Sequence, residues 1–350
     1  MDTIPTGSAA RELSAARADL AYVSDMEPGI RRRRVGKGFT FFTPEGRRLG
    51  DLDAIARIKS LAIPPAWTDV WISPDPAGHI QATGRDQKGR KQYRYHPEFR
   101  TARESEKFDG CIAFGNLLPL VRKRVEDDLK GRKLTRERAV ASVVRLLDLG
   151  AVRVGNEGYA ERNKSFGATT LRRRHAEVTG KTLRLRYKGK SGKMREVTLT
   201  DRTLARMVRS MQDLPGQNVF KYVDEDGEVN AVTSSDVNHY LEEAMGERFT
   251  AKNFRTWHAS VLALECLRNG EGKMPLKALL DCVAEKLGNT PAVTRRSYIH
   301  PAVIDLVERQ EEWRANLRLP RATRWLTREE RALIDLLQEA PAAAELLKAA

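Results

Sequence analysis

Apolar and polar positions change rhythm about a third of the way along the chain. Up to His96 the apolar runs are short. Phe39 to Phe42 reads as a strand turned by Pro44-Glu45-Gly46. Leu52 to Leu61 reads as a short helix ended by Pro64-Pro65, and Trp71 to Ser73 as a strand followed by a turn from Pro74 to Gly78. His79 to Thr83 and Gln92 to His96 flank a glycine-rich basic connection, the outline of a hairpin. Ala9 to Val23 has helical spacing that Pro28-Gly29 breaks, and Arg31 to Arg34 is a run of four cations. After Pro97 the polar stretch Arg100 to Lys107 reads as a linker. Longer segments with a period near 3.6 follow: Cys111 to Leu129, Arg136 to Leu149, Thr203 to Met211, Val237 to Met245, Phe254 to Leu267 and Leu276 to Leu287. Thr182 to Tyr187 and Met194 to Leu199 interrupt them with strand alternation, around the glycine turn Lys188-Gly189-Lys190-Ser191-Gly192-Lys193. Gly288-Asn289 is a helix stop. Thr290-Pro291 is a helix start, with threonine as cap and proline first in the helix. The short helix that follows carries Tyr298 and is limited by Pro301. Ala302 to Leu317 reads as one more helix, and the tail from Pro341 to Ala350 is expected to fray. The pattern predicts an α+β chain: a small, mainly β domain over residues 1–100, then a larger, mainly helical domain over 101–350 with an inserted β-hairpin.

Charge narrows the class of partner. Lys and Arg number 62 against 47 Asp and Glu, a net charge of +15 on 350 residues. That excess favours a polyanion, nucleic acid first and an anionic membrane second. No run of about 18 apolar residues is present to span a bilayer, and Met1 to Ala10 lacks the order of a signal peptide. Cys111, Cys266 and Cys282 are odd in number and far apart, and fit neither a disulfide framework nor a zinc site. Cys266 and Cys282 lie in apolar helical patterns and are expected to be buried, reduced thiols. A cytoplasmic protein is the implication. No GxxxxGK[ST] loop, HExxH or CxxC pair occurs, so chemistry without nucleotide, cofactor or bound metal is expected.

Two basic stretches suit phosphates. Arg172 to Arg195 holds ten Lys or Arg and one acid, Glu177, a cluster of the kind that gives sequence-neutral affinity for a phosphate backbone unless it is simply a solvated surface. Arg85 to Arg94 is interleaved with Tyr93 and Tyr95. Residues two apart on a strand share a face, so with Gln92 and neighbouring cations they suit a major groove. Packing of both rings on the small β core is an equally open reading. Tyr298, Arg153, Arg255 and Lys190, each taken alone, read as ordinary core, ion-pair or solvent-facing residues.

Taken together they resemble the type IB DNA topoisomerases of bacteria and poxviruses. That family carries an arginine, a lysine in a Gly-Lys hairpin turn, a second arginine in a K-x-x-R-T segment, then a His or Asn with a tyrosine nine residues after it. Here those positions are Arg153, Lys190, Arg255, Asn289 and Tyr298, in that order. Gln81-Ala82-Thr83-Gly84-Arg85-Asp86 and Gly89-Arg90-Lys91-Gln92-Tyr93-Arg94-Tyr95 are similar to the family's DNA-touching hairpin. Val237 to Leu241 also matches. The resemblance runs from about residue 20 to 320. Asn289 departs from the histidine of many relatives; it can donate one hydrogen bond to a phosphate oxygen but cannot be cationic.

The resemblance implies DNA relaxation without ATP or metal, through a 3′-phosphotyrosyl link. Tyr298 is implied as nucleophile, Arg153, Arg255 and Asn289 as phosphate ligands, and Lys190 as general acid. It implies DNA contacts from Gln81, Arg90, Lys91, Gln92, Tyr93 and Tyr95, a clamp around duplex DNA, a monomer, and residence in the cytoplasm at the nucleoid. His258 and His300 lie near the site residues and are given no catalytic task. A tyrosine recombinase shares the cleavage chemistry, but usually has His three residues before the second arginine, where this chain has Lys252. An inactive architectural DNA-binding protein explains the charge but not five residues in catalytic order.

Overall fold

The computed structural model describes residues 19–349. The expected helix from Ala9 lies outside them as far as residue 18; from Asp19 the chain is not helical, and Ala21 bridges to Gly78. The described residues fall into two compact units, residues 19–107 with 347–349, and residues 108–346.

The first unit is built on β1 (Ile30–Val35), β2 (Gly38–Phe42), α1 (Leu52–Ser60), β3 (Thr68–Ile72), β4 (Ile80–Arg85) and β5 (Lys91–Tyr95). The five strands form an antiparallel sheet in the order β2-β1-β3-β4-β5. Ile30, Phe41, Val70, Ile72 and Ala82 bury one face against Ile58 of α1. Asp51 caps α1, accepting from the amides of Asp53 at 2.9 Å and Ala54 at 3.2 Å. The four-arginine run forms β1 because its cations find partners without leaving the strand. Arg32 donates to the carbonyls of Ile63, Pro64 and Trp67 and lies 4.1 Å from the Phe39 ring centre, while Arg33 lies 4.7 Å from that of Phe42.

The stretch expected as a linker is helical instead. Helix α2 (Pro97–Asp128) runs through it and on into the second unit. Residues 100–107 are fair helix formers, Arg103 pairs with Glu106 one turn on at 3.2 Å, and the buried Phe99 and Phe108 stand on either side.

The second unit continues with α3 (Arg136–Gly150), α4 (Glu157–Asn163), β6 (Ala176–Thr179), β7 (Thr182–Lys188), β8 (Met194–Thr200), α5 (Arg202–Gln212), β9 (Lys221–Val223), β10 (Val229–Ala231), α6 (Ser234–Met245), α7 (Ala251–Asn269), α8 (Leu276–Leu287), α9 (Pro291–Ser297), α10 (Pro301–Asp305), α11 (Gln310–Asn316), α12 (Arg328–Glu339) and α13 (Ala343–Ala349). The α+β architecture and the inserted hairpin, β7–β8, are as the pattern predicts, with β6 added as a third strand. Helix α3 is central: residues 138–144 and 146–148 are all buried, which is why its sequence is apolar around most of its circumference.

Three expectations are corrected here. Ala302 to Leu317 is two helices, because the buried Gln310 turns inward, donates to the carbonyls of Val307 and Met274 and accepts from the Met274 amide. The tail does not fray over 343–349: Ala343 is buried and its amide donates to Asp109. Cys266 and Cys282 are not separate buried thiols. Helices α7 and α8 pack together and bring them into a disulfide, with Cys282 exposed; the buried Cys111 takes no part in a disulfide.

Behind the site lies a buried ion network. Arg122 of α2 forms paired hydrogen bonds with Asp148 at the end of α3, 2.8 and 2.9 Å, and with Glu330 of α12, 2.7 and 2.8 Å. Glu330 also accepts from the Trp257 indole at 3.0 Å and the Thr327 amide at 2.9 Å. Burial opposes ionisation of both acids, but Arg122 outweighs it and holds each below its ordinary value. Two groups with depressed folded values contribute stability that is complete above a pH of about 4.5 and is lost as pH falls from there through the folded values. Arg122→Ala leaves two buried carboxylates unpaired, at a cost of about 3–5 kcal/mol. Urea unfolding should show that loss at pH 7 and a smaller one at pH 4, where protonation relieves the stranded acids. An equal loss at both values would contradict the network.

Candidate active site

Arg255 is the buried centre of the second unit's cationic cluster, at 3% exposure. Its guanidinium donates to the carbonyl of Ala151, the residue capping α3, to that of Leu287 at 3.1 Å, the last residue of α8, and to Asn289 Oδ1 at 3.3 Å. Two helix C-termini, each the negative end of a helix dipole, therefore hold this cation without a carboxylate. Burial, and next the nearby Arg153, bring Arg255 down to about 10, so it stays charged at neutral pH.

The other residues are mounted on the same two helix ends. Arg153 follows the left-handed Ala151, and its loop is stitched down by the amides of Ala168 and Thr169, which donate to the carbonyls of Arg153 at 2.8 Å and Val154 at 2.7 Å. Its Nη2 donates to Asn289 Oδ1 at 2.5 Å. Asn289 sits one residue past the left-handed Gly288 that caps α8. Its oxygen thus receives both guanidiniums, while its buried Nδ2 has no partner. An unpaired buried donor calls for an acceptor, and this one lies in a cluster of cations.

Tyr298 is not inside α9 but caps its end, with φ −134°. Thr290 caps the start of α9 and Pro291 is its first residue, as the sequence predicts. The tyrosine amide donates to Thr294 at 3.1 Å. On α7, Ser260 Oγ donates to the Thr256 carbonyl at 2.9 Å, accepts from the His300 amide at 2.9 Å, and lies 3.5 Å from the Tyr298 carbonyl. The fully buried Ile299 anchors the turn. The ring lies half-buried, its centre 4.9 Å from Arg255 Cζ. Burial alone would raise the phenol, but the positive charge of Arg255 beside it, then Arg153 and Lys252, bring it below its ordinary value.

Lys190 is exposed in the turn of the β7–β8 hairpin, residues 190–192, and among the described residues no side chain bonds it. His258 is half-buried beside Asp148 at 3.8 Å, with its protonated form disfavoured by burial first, and His300 caps α10. Two residues near the cluster were missed by sequence reasoning. Arg195 acts on the charge of Arg255, and Tyr187 lies within the field of Arg195, Arg255 and Arg153, but the strand pattern and the basic run gave neither a role.

In the first unit the six expected DNA contacts separate. Gln81 is buried, its amide spent on the carbonyls of Gly78 at 2.8 Å and Pro76 at 2.9 Å and on Arg57 at 2.5 Å, so it braces the loop beneath the sheet. Arg90 and Gln92 both bond Asp86 Oδ2, which Arg90 first of all holds down at about 2. Lys91 pairs with Asp25 at 2.5 Å. Tyr93 stacks on Tyr95 at 5.7 Å and Tyr95 on Phe99 at 5.3 Å, leaving Tyr93 39% exposed at the edge strand.

A β unit followed by a helical unit with a hairpin insert, and a cation cluster around a tyrosine, define a class that comparison identifies. The eukaryotic DNA topoisomerase I catalytic core matches residues 96–315, and the bacterial DNA topoisomerase IB N-terminal domain matches residues 38–86. DNA topoisomerase 1B of Acanthamoeba polyphaga mimivirus is 32% identical over 299 residues, 81% of this chain and 89% of the relative. DNA topoisomerase 1B of vaccinia virus (strain Copenhagen) is 20% identical over 269 residues, 74% and 83% of the two chains. The chain belongs to the type IB DNA topoisomerase family, of the bacterial and poxvirus-like kind, and is a DNA topoisomerase. A solved structure of the XerH site-specific recombinase bound to palindromic difH substrate overlaps 55% of this chain and 51% of its own, at 18% identity and a TM-score of 0.38.

The electrostatics of Tyr298 are measurable directly. With ring-labelled tyrosine, NMR should show the Tyr298 phenol titrating below 10, and Arg153→Ala should move it upward. An unmoved titration would mean that Arg153 does not act on the phenol.

Proposed function

We propose that the enzyme relaxes supercoiled duplex DNA by transient cleavage of one strand, with Tyr298 as nucleophile. The observation that carries this reading is a buried guanidinium, Arg255, with no carboxylate among its partners, placed 4.9 Å from the ring of a tyrosine whose ionisation it favours.

A DNA phosphate entering the cluster takes the place that Asn289 Oδ1 now holds. Arg153 and Arg255 then pair with the nonbridging oxygens, and the unpartnered Asn289 Nδ2 adds a neutral donor. These groups meet the charge that grows on phosphorus oxygens in the transition state, a task that elsewhere falls to metal ions. Tyr298 Oη forms a bond to phosphorus as the bond to the 5′ oxygen breaks. The phenolic proton goes to solvent, and Lys190 gives a proton to the departing 5′ oxygen and regains one from water. The product is a 3′-phosphotyrosyl link and a free 5′ hydroxyl. Reversal reseals the strand, and since the phosphotyrosine conserves the bond, neither ATP nor a metal enters the cycle. Lys91, Arg90 and the exposed edge of Tyr93 meet the DNA from the first unit, with Gln92 beside them and Tyr95 as their support. The five catalytic residues come from one chain, so a monomer suffices, and with DNA as substrate its place is the nucleoid.

The test is relaxation of supercoiled plasmid in EDTA without ATP. The wild type should relax the plasmid, Tyr298→Phe should bind it without relaxing it, and Arg153→Ala should cleave roughly 10²–10³-fold more slowly, the usual loss for one transition-state donor. A wild type that binds but never relaxes would favour a DNA-binding module, and a Tyr298→Phe variant as active as wild type would mean another nucleophile.

A further inference from the structure

Arg195 takes no part in the mechanism above, yet it stands where the lysine hairpin meets the asparagine turn. It lies on β8 directly opposite Tyr187 on β7, and the two side chains share the inward face of the hairpin. Tyr187 is 4% exposed; burial first of all pushes its phenol up, and the Arg195 guanidinium across the strand pair works against that. The Arg195 guanidinium also donates to the carbonyl of Lys286, in the last turn of α8, at 3.0 Å.

Two glycines mark how closely Arg195 is enclosed. A Cβ at Gly189 would lie 3.0 Å from Arg195 Cγ, and one at Gly288 only 2.0 Å from its Nη1 and 2.5 Å from its Cζ. Gly189 precedes Lys190, and Gly288 precedes Asn289. Arg195 therefore fills the space that a side chain at either position would need, and its guanidinium is the wedge between the two. Gly288 is also left-handed, φ +63°, which suits glycine alone at no strain.

This enclosure matters because Lys190 itself is unheld. A proton donor works only where it can reach the leaving oxygen, and a misplacement of about 1 Å can cost roughly 10²-fold in rate. The exposed turn is fixed at its base rather than at its tip, and the base is fixed to the helix end that carries Asn289. We infer that Arg195, oriented by Tyr187, is a positioning residue that sets the Lys190 turn in register with Asn289 and so with the phosphate. The inference rests on the reading of Lys190 as general acid.

The experiment compares single-turnover cleavage of two DNA substrates, one with the natural 5′ oxygen as leaving atom and one with a bridging sulfur there. A thiol has a pKa of about 8.5, so its conjugate base departs without a proton. On the oxygen substrate Arg195→Ala should be slowed roughly 10–100-fold, part of the roughly 10²–10⁴-fold that a general acid supplies. The sulfur substrate should restore it to near the wild-type rate. Arg195→Lys and Tyr187→Phe, which keep the buried bulk, should show smaller losses with the same selectivity, and they carry the test where Arg195→Ala is too unstable. Equal slowing on both substrates by these variants would make Arg195 a merely structural residue and overturn the proposal. Lys190→Ala separates the two ideas: if sulfur rescues it but not the Arg195 and Tyr187 variants, only the positioning role fails. If sulfur does not rescue Lys190→Ala, the general-acid reading itself fails.

Discussion

The second unit is organised around a cation that has been buried without a counter-charge. Removing a guanidinium from water costs several kcal/mol unless other groups replace its hydration. For Arg255 those groups are the carbonyls at the ends of α3 and α8, and an amide oxygen. Because the carbonyls belong to helix ends, satisfying Arg255 also fixes where each helix stops. The next residues in chain order, Arg153 after the first helix and Asn289 after the second, are then delivered to the same point. A carboxylate partner would have met the same burial cost more simply, but it would also have neutralised the charge that a phosphate is to meet.

The contrast with Arg122 makes the distinction plain. Both arginines are deep in the same unit, and the two networks touch the same helices, α3 and α7. Arg122 is matched by two carboxylates, Asp148 and Glu330, and is a strut. Asp148 lies three residues before Ala151, and Trp257, which donates to Glu330, lies two residues after Arg255. The strut thus engages Asp148 and Glu330 and braces the helices that carry the site's cations. The Tyr187–Arg195 pair and the Ser260 hydroxyl extend the same arrangement to the hairpin and to the tyrosine backbone.

Sequence periodicity revealed the two-part architecture, the helices of the second unit and the hairpin, since these depend on local pattern. It failed where a distant partner decides the outcome. The four arginines of β1 look unsuited to a strand until the carbonyls of residues 63, 64 and 67 and the ring of Phe39 are seen beside Arg32. Residues 100–107 look like a linker because their polarity conceals fair helix propensity between two buried phenylalanines. Cys266 and Cys282, sixteen residues apart, meet only because α7 and α8 pack. The candidate site was legible as a set of residues in order, through resemblance, but its geometry was not. Nothing in the spacing of Arg153, Arg255 and Asn289 says that one amide oxygen receives both guanidiniums. Gln81 was expected as a DNA contact through the resemblance of its segment to the family's DNA-touching hairpin, whereas in the fold its amide is bonded to the carbonyls of Pro76 and Gly78.

The central claim, a tyrosine made nucleophilic by cations that lack acidic partners, is tested most directly by isolating the covalent intermediate. The enzyme would be denatured in the act of cutting a labelled duplex, digested with protease and nuclease, and the nucleotide-bearing peptide sequenced by mass spectrometry. A single adduct on Tyr298 is expected, joined to a 3′ phosphate, with a free 5′ hydroxyl on the other side of the break. An adduct on any other residue, or a tyrosine joined to a 5′ phosphate, would contradict it.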